Sequence, residues 1–174
     1  MSPELDDLGV HFYGVGQIIG NFHSLEVAIR LFLERIDLGN TPAPRLDIFA
    51  LKAGDCLPKT ALTDYDSLGQ LINRYNTHIP AIDPDLAVDR SVVELRDTLA
   101  HGRMLALEAR RPLRLFRFGP PDDGTVEVRL PGDVTDEWIA VQRGRTSDQL
   151  RKVLSALARL GTTGTEGGID GPTG

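Results

Sequence analysis

A long periodic run of apolar residues near the start is the feature that most constrains what this chain can fold into. Over residues 9–37 apolar side chains recur every three or four positions, which is the spacing of one face of an α-helix. The members of this stripe are Val15, Ile18, Ile19, Phe22, Leu25, Ile29, Phe32, Leu33 and Ile36. The pattern predicts one long amphipathic helix, which the glycine and prolines of 39–44 end.

Shorter periodic segments predict two more helices in the middle of the chain. The apolar spacing favours a helix over about 65–78, and the prolines that follow break it. An acidic N-cap, Asp83, followed by Pro84 predicts the next helix over about 84–101. Residues 45–65 fit either a short extended piece or a short helix followed by a loop.

The segment after the third helix predicts a β-hairpin. Two runs of alternating apolar and polar residues, 113–118 and 126–130, flank a segment rich in glycine, proline and aspartate. That segment, 119–124, is expected to form a long turn. Because the alternation leaves one face of the hairpin apolar, this face is expected to lie on the helices.

A last helix is predicted over 135–160. Thr135 is its expected N-cap, and acidic residues follow in the first turn. The polar stretch around Gly144 leaves open a break in this helix, with Thr146 beginning a second capping box.

Together these elements predict a mainly α fold, an antiparallel bundle of four to five helices with an inserted β-hairpin near 113–130. The length suits one domain, expected over 9–160. A flexible lead is expected over 1–8, and a disordered Gly/Thr-rich tail over 161–174.

Composition narrows the class of protein. No apolar run approaches the roughly 20 residues of a membrane helix, and the first residues lack the pattern of a signal peptide. Cys56 is the single cysteine, so it cannot form an internal disulfide. No His/Cys/Asp spacing suggests a metal site. We therefore expect a cytoplasmic protein with no membrane association, metal or cofactor.

Charge is distributed unevenly along the chain. The net charge of −6 argues against a nucleic-acid binder if it is taken as a whole. Between residues 90 and 117, however, seven arginines stand against three acidic residues. A guanidinium group suits phosphate because it donates two parallel hydrogen bonds. The alternative, that these arginines only form a solvated face, stays open.

Chemistry-bearing residues are concentrated in 91–103. Arg96, Asp97 and His101 fall within six positions of a predicted helix, and none of them belongs to its apolar stripe. Gly102 suits the left-handed residue that often ends a helix, so His101 would project from the helix end, where the helix dipole favours a cation. The alternative is structural: a capping histidine, and an Arg96–Asp97 ion pair.

Two glycine-containing segments resemble nucleotide-binding motifs but fail the test of spacing. Gly14, Gly16 and Gly20 lack the glycine that a dinucleotide fingerprint needs at position 19, and no strand precedes them. Small residues that allow close helix approach are the better account. Residues 54–60 lack the glycine before the lysine of a phosphate-binding loop.

The residues Leu95-Arg96-Asp97-Thr98-Leu99-Ala100-His101-Gly102 resemble the signature of the HEPN superfamily, an arginine, a polar residue and a histidine at short spacing. The resemblance implies an all-helical bundle, usually dimeric, and in many members a metal-independent endoribonuclease. The 113–130 hairpin is not part of the minimal bundle and would be an insertion.

The resemblance implies that Arg96, Asp97 and His101 are catalytic and that RNA is the substrate, in a toxin-like or defence-related enzyme with an antitoxin or regulatory protein as partner. Arg90 and Arg103 are the expected RNA contacts. Arg96 and His101 lie about 140° apart on one ideal helix, so a homodimer with a composite cleft is predicted. The alternative function is a non-catalytic module that binds a nucleotide, RNA or a protein through the same cleft.

Two further residues are expected to support this site. Gly102 would end the motif helix, and Glu26, on or beside the buried stripe of the first helix, needs a cationic partner. One candidate is an arginine of the motif helix.

Overall fold

A computed structural model describes residues 7–39, 50–107 and 110–162 of the chain. Along these residues the order of elements is α1 (Asp7–Leu38), α2 (Leu68–His78), α3 (Val92–His101), β1 (Arg103–Leu107), β2 (Arg110–Asp122), β3 (Thr125–Val134) and α4 (Asp136–Thr162). Short 3-10 turns at Ile79–Ala81 and Pro84–Leu86 separate α2 from α3. Most of the expected lead and tail lies outside the described residues.

The predicted mainly α fold is wrong, because the described residues form an α+β structure. The three strands make one antiparallel sheet in the order β1-β2-β3, where only an inserted hairpin was expected. The chain enters β1 directly from α3, and β2 continues through the segment predicted to be a long turn. Only Asp123 and Gly124 form the turn, both with positive φ, which is the typical conformation of an Asp-Gly hairpin.

The stripe predicted for α1 is confirmed over most of its length. Ile18, Leu25 and Ile29 are fully buried, whereas Ile19, at the edge of the stripe, is 40% exposed. Helix α1 ends at Leu38, next to the glycine expected to stop it. Helix α2 begins at a capping box formed by Ser67 and Gln70.

Helix α3 begins eight residues later than predicted. Asp83 caps only the 3-10 turn that follows it, by accepting a hydrogen bond from the Asp85 amide. The chain beyond that turn is held away from helical geometry by Asn76, whose side chain bonds both the amide and the carbonyl of Val88 at 2.9 Å. These bonds occupy the groups that a longer helix would need for its own hydrogen bonds.

Helix α4 runs unbroken past Gly144. Thr135 is its N-cap, since its hydroxyl accepts a hydrogen bond from the Trp138 amide at 3.1 Å. Thr146 does not begin a second helix; its hydroxyl donates back to the carbonyls of Gln142 and Arg143 within the helix.

The chain divides into two compact units, and α1 and α4 each contribute to both. The first unit, 1–25 and 89–150, contains α3 and the sheet. Its core includes Val15, Ile18, Phe22, Leu113, Leu115, Val134 and Ile139. Gly14 lets α1 approach α4 closely, because an added Cβ would lie 2.6 Å from Cγ2 of Ile139.

The second unit, 26–88 and 151–174, contains α2 and is centred on a charged group rather than on apolar residues alone. Arg30 is only 9% exposed and bonds Glu26, Asp64 and three backbone carbonyls, those of Ala61, Asp64 and Asp66. The apolar part of this unit includes Phe32 and Tyr75, both fully buried, whose rings pack edge to face with centroids 4.8 Å apart.

Candidate functional site

The N-terminal end of α3 is anchored by Asp89. Its carboxylate accepts hydrogen bonds from the Ser91 hydroxyl and amide and from Arg145, and its own amide donates to Gln149 at 2.9 Å. The Ser91 hydroxyl and amide hold the pKa of Asp89 below its ordinary value; burial opposes this, and Arg145 reinforces it. Because Arg145 and Gln149 belong to α4, these bonds fix the start of α3 against α4.

The C-terminal end of α3 is held by Gly102, for a different reason than predicted. Gly102 is extended, with φ −72° and ψ 165°, so the expected left-handed conformation is wrong. Its amide still closes the helix by donating to the Thr98 carbonyl at 2.8 Å. A Cβ on this residue would collide with that carbonyl and would lie 2.8 Å from Cδ1 of Leu115. Glycine is needed here because α3 and β2 approach closely.

Arg96, Asp97 and His101 all lie on α3, but only two of them interact. Nη1 of Arg96 lies 3.1 Å from Oδ1 of Asp97, with both side chains about one-third exposed. His101 is exposed, and its ring has no hydrogen-bond partner among the described residues. Since both Arg96 and His101 are within one regular helix, they diverge by about 140° and do not converge within one chain.

Asp97 also faces an open pocket of about 490 Å³ beside the first turns of α3. The pocket brings together two of the residues predicted from the sequence, Asp97 and Arg90. Its full lining is Arg90, Ser91, Val93, Glu94, Asp97 and Arg117. Neither Arg96 nor His101 belongs to this lining, so the predicted residues are divided between the pocket and the exposed surface of α3.

Arg117 was missed as a site residue by sequence reasoning. It lies in β2, half-buried, and its Nη1 is 3.4 Å from the Thr98 hydroxyl on α3. The alternation of β2 contained the signal, because Leu113 and Leu115 point to the buried face and Arg117 follows them on that face. An arginine continuing an apolar strand face is a candidate to line the edge of the core.

Arg103 and Arg90, the expected RNA contacts, lie at opposite ends of α3. Arg90 is exposed just before the helix. Arg103 begins β1, and its guanidinium lies over the ring of Phe118, 5.0 Å from the centroid. Helix α3 has ten residues, so about 15 Å of helix separates the two positions. Arg90 and Arg103 could therefore contact the same ligand only if that ligand is extended.

The partner of Glu26 is Arg30, one helical turn further along α1. Nη2 of Arg30 lies 3.1 Å from Oε1 of Glu26. The cation that Glu26 needs is therefore supplied by an i, i+4 neighbour on the same helix rather than by the candidate arginine of the motif helix. Glu26 belongs to the charged group around Arg30.

Among the described residues no group of three or more His, Cys, Asp or Glu side chains could hold a metal ion. No helix in the same parts of the chain is both long and apolar enough to cross a membrane. Comparison with protein-family models, with curated proteins and with solved structures finds no match to this chain.

Proposed function

We propose that this protein is a metal-independent endoribonuclease of the HEPN type, whose active site is formed by the α3 helices of two copies. The observation that carries the proposal is that α3 presents two groups suited to the chemistry. His101 is exposed at the helix end and has no hydrogen-bond partner among the described residues, and Arg96 is held by Asp97 at 3.1 Å. Both ends of α3 are fixed, by Asp89 and by Gly102, so these side chains project from a rigid element.

The chemistry requires no metal because RNA carries its own nucleophile. The 2′-oxygen attacks the adjacent phosphorus, the bond to the 5′-oxygen breaks, and a 2′,3′-cyclic phosphate remains. His101 takes the proton of the 2′-hydroxyl or delivers one to the departing 5′-oxygen. Arg96 stabilises the negative charge of the phosphorane, and Asp97 orients Arg96.

The angle between Arg96 and His101 is the reason for two copies. Each active site would combine Arg96 of one chain with His101 of the other, across a two-fold axis. A surface suited to association exists on the first half of α1, where no charged Asp, Glu, Lys or Arg occurs from residue 9 to residue 25. Its exposed apolar side chains are Val10, Phe12, Tyr13 and Ile19, each 40–63% exposed, and of these Phe12 and Ile19 lie on the same side of the helix, seven residues apart. An exposed apolar pair on an uncharged helix segment is typical of an interface.

The direct test is cleavage of single-stranded RNA in the presence of EDTA. His101→Ala and Arg96→Ala are each expected to lower the rate by at least 100-fold, the order of the loss of a general acid–base or a charge-stabilising group. The matched controls are His78→Ala and Arg35→Ala, which remove the same side chains from other helices. Full activity of both site variants would end the proposal.

Mixing the two inactive variants tests the composite site. A mixed dimer of His101→Ala and Arg96→Ala chains keeps one intact Arg96–His101 combination, so about one quarter of the wild-type rate should return after subunit exchange. Ile19→Glu places a charge on the exposed α1 surface and should yield an inactive monomer by light scattering. Exchange without any recovery of activity would show that both residues act within one chain.

A second function is favoured by the pocket between α3 and β2. Arg90 and Arg117 face it together with Asp97 and Glu94, an arrangement that could hold the phosphate and a sugar hydroxyl of a nucleotide. This binding module would show salt-sensitive nucleotide affinity that Arg117→Ala abolishes, with no RNA cleavage. Cleavage that is independent of Arg117 but dependent on His101 would exclude it.

A further inference from the structure

The sheet has one buried face and one face open to solvent. Leu113, Leu115 and Val134 are 1–2% exposed and form the buried face. The intervening residues of β2 point the other way and pair across the sheet with β1 and β3. We call this open side the outer face; it carries Arg103, Leu105, Arg114, Phe116, Phe118 and Val128.

Two arginines on the outer face are held against two aromatic rings. The Arg103 guanidinium lies 5.0 Å from the Phe118 centroid, and that of Arg114 lies 5.7 Å from the Phe116 centroid. The two rings are 6.5 Å apart and within 17° of parallel. Cation–π contacts of this kind fix flexible arginine side chains in a planar arrangement before any ligand arrives.

The rest of the outer face is apolar and exposed. Leu105 is 59% exposed and Val128 is 50% exposed. Among the side chains that the structure describes, this face carries the charges of the two arginines and of Asp133, which pairs with Arg114 at 3.1 Å. This face matches the two parts of an unpaired nucleotide. The aromatic rings and apolar side chains can stack against the base, and the arginines can bind the negative phosphate.

The outer face starts beside the proposed catalytic histidine. Arg103 is the second residue after His101, so at most about 7 Å of backbone separates them. A strand of RNA whose scissile phosphate lies at His101 would therefore reach Arg103 and Phe118 with its neighbouring nucleotides. A duplex would not fit the same contacts, since its bases are already stacked on each other.

We propose that the outer face of the sheet is a stacking platform for single-stranded RNA, with Phe116 and Phe118 contacting bases and Arg103 and Arg114 contacting phosphates or stacking on the next base. The proposal rests on the proposed function for its substrate class. It adds a residue set outside the helical motif and a preference for unpaired RNA.

The binding test uses a fluorescently labelled 12-nucleotide oligoadenylate in a His101→Ala background, where no cleavage interferes. Phe116→Leu and Phe118→Leu keep apolar volume but remove the ring, and each should weaken affinity by about 5- to 150-fold, the range for loss of one stacked base. Tyr65→Leu is the control, because it removes a fully exposed ring elsewhere. Arg103→Ala should reduce the dependence of affinity on salt.

A second measurement on the unaltered rings does not depend on how the variants fold. RNA containing 4-thiouridine should crosslink, on irradiation, to peptides of β1 or β2, and a 12-base-pair duplex should compete poorly. Crosslinks confined to other parts of the chain, or equal affinity for the duplex, would overturn the platform.

The results separate the platform from catalysis. If wild-type protein binds the oligonucleotide through Phe116 and Phe118 but never cleaves RNA, the platform stands and the proposed function fails. If RNA is cleaved with dependence on His101 and both phenylalanine variants bind and cleave normally, the platform is wrong and the proposed function stands. If the wild-type chain does not bind the oligonucleotide, the platform is wrong.

Discussion

Replacement of Arg30 by methionine should destabilise the protein strongly, because this charged side chain is buried and fully hydrogen-bonded. The side chain is 9% exposed, and its guanidinium makes two hydrogen bonds to Glu26, two to Asp64 and one each to the carbonyls of Ala61 and Asp66. Methionine keeps most of the aliphatic volume, so the change isolates the loss of charge and donors.

The size of this loss of stability depends on the buried groups that Arg30 leaves without a hydrogen-bond donor. Asp64 is only 11% exposed, and the Ala61 carbonyl loses a buried donor. Arg74 still bonds Asp64 in this variant, so the loss is that of the buried hydrogen bonds of Arg30 and of a buried carbonyl left without its donor, about 3 kcal/mol in total. For a chain of this size that corresponds to a fall in Tm of about 10 °C.

The assay is urea unfolding followed by circular dichroism, with Arg74→Met as the matched control. Arg74 bonds the same Asp64 but is 37% exposed, so water can replace its hydrogen bonds and the cost should stay near 1 kcal/mol. Equal losses for the two variants would refute the argument, since burial would then not decide the energy.

Two more predictions concern stability. Gly14→Ala should destabilise the fold by about 1–3 kcal/mol because its Cβ would press on Ile139, whereas Gly16→Ala, which meets no described atom within 4 Å, should stabilise α1 by about 0.5–1 kcal/mol; thermal melting checks both. For Asp64, burial opposes ionisation, but hydrogen bonds from Arg30, from the following backbone and from Arg74 outweigh it and lower its pKa, and the pKa of Asp89 is lowered too. Since both native pKa values lie below the ordinary 3.8, the stability they contribute is present above that pH and is lost as pH falls through the native values; Asp89→Asn should make the acid limb of a stability–pH curve shallower.

Helical periodicity could be interpreted reliably from sequence because it depends on many residues at once. The α1 stripe survives the exposure of Ile19, since its other members still fall within one face. Contacts between distant segments carry no such pattern. Asn76 ends the potential α3 helix by bonding Val88, twelve residues away, and no local spacing announces this pair.

The sheet was underestimated because its prolines suggested a turn. Pro121 pairs with Val126 at the far end of β2, beyond Phe116, which pairs with Arg103 at the start of β1. There β2 has only β3 beside it, and a strand with one open side tolerates a residue without an amide hydrogen. The Asp123-Gly124 pair was the correct turn signal within a longer run of turn-forming residues.

The position of the candidate residues along the chain could be predicted from sequence, but the surroundings of each side chain could not. The spacing of Arg96, Asp97 and His101 placed them on one helix near its end, which the structure confirms. Sequence alone could not separate Asp97, which faces the pocket, from His101, which faces solvent. That division depends on β2 packing beside α3, and hence on Arg117.

The tight contact at Gly102 distinguishes two kinds of constraint on neighbouring residues. Substitution of His101 changes an exposed ring and leaves the packing of α3 on β2 intact, whereas any side chain at Gly102 would force those elements apart. Related sequences would therefore be free to replace the histidine without loss of the fold but would retain the glycine. A glycine without the histidine would identify inherited architecture alone, and the intact His-Gly pair would identify the relatives in which the proposed catalysis should be sought first.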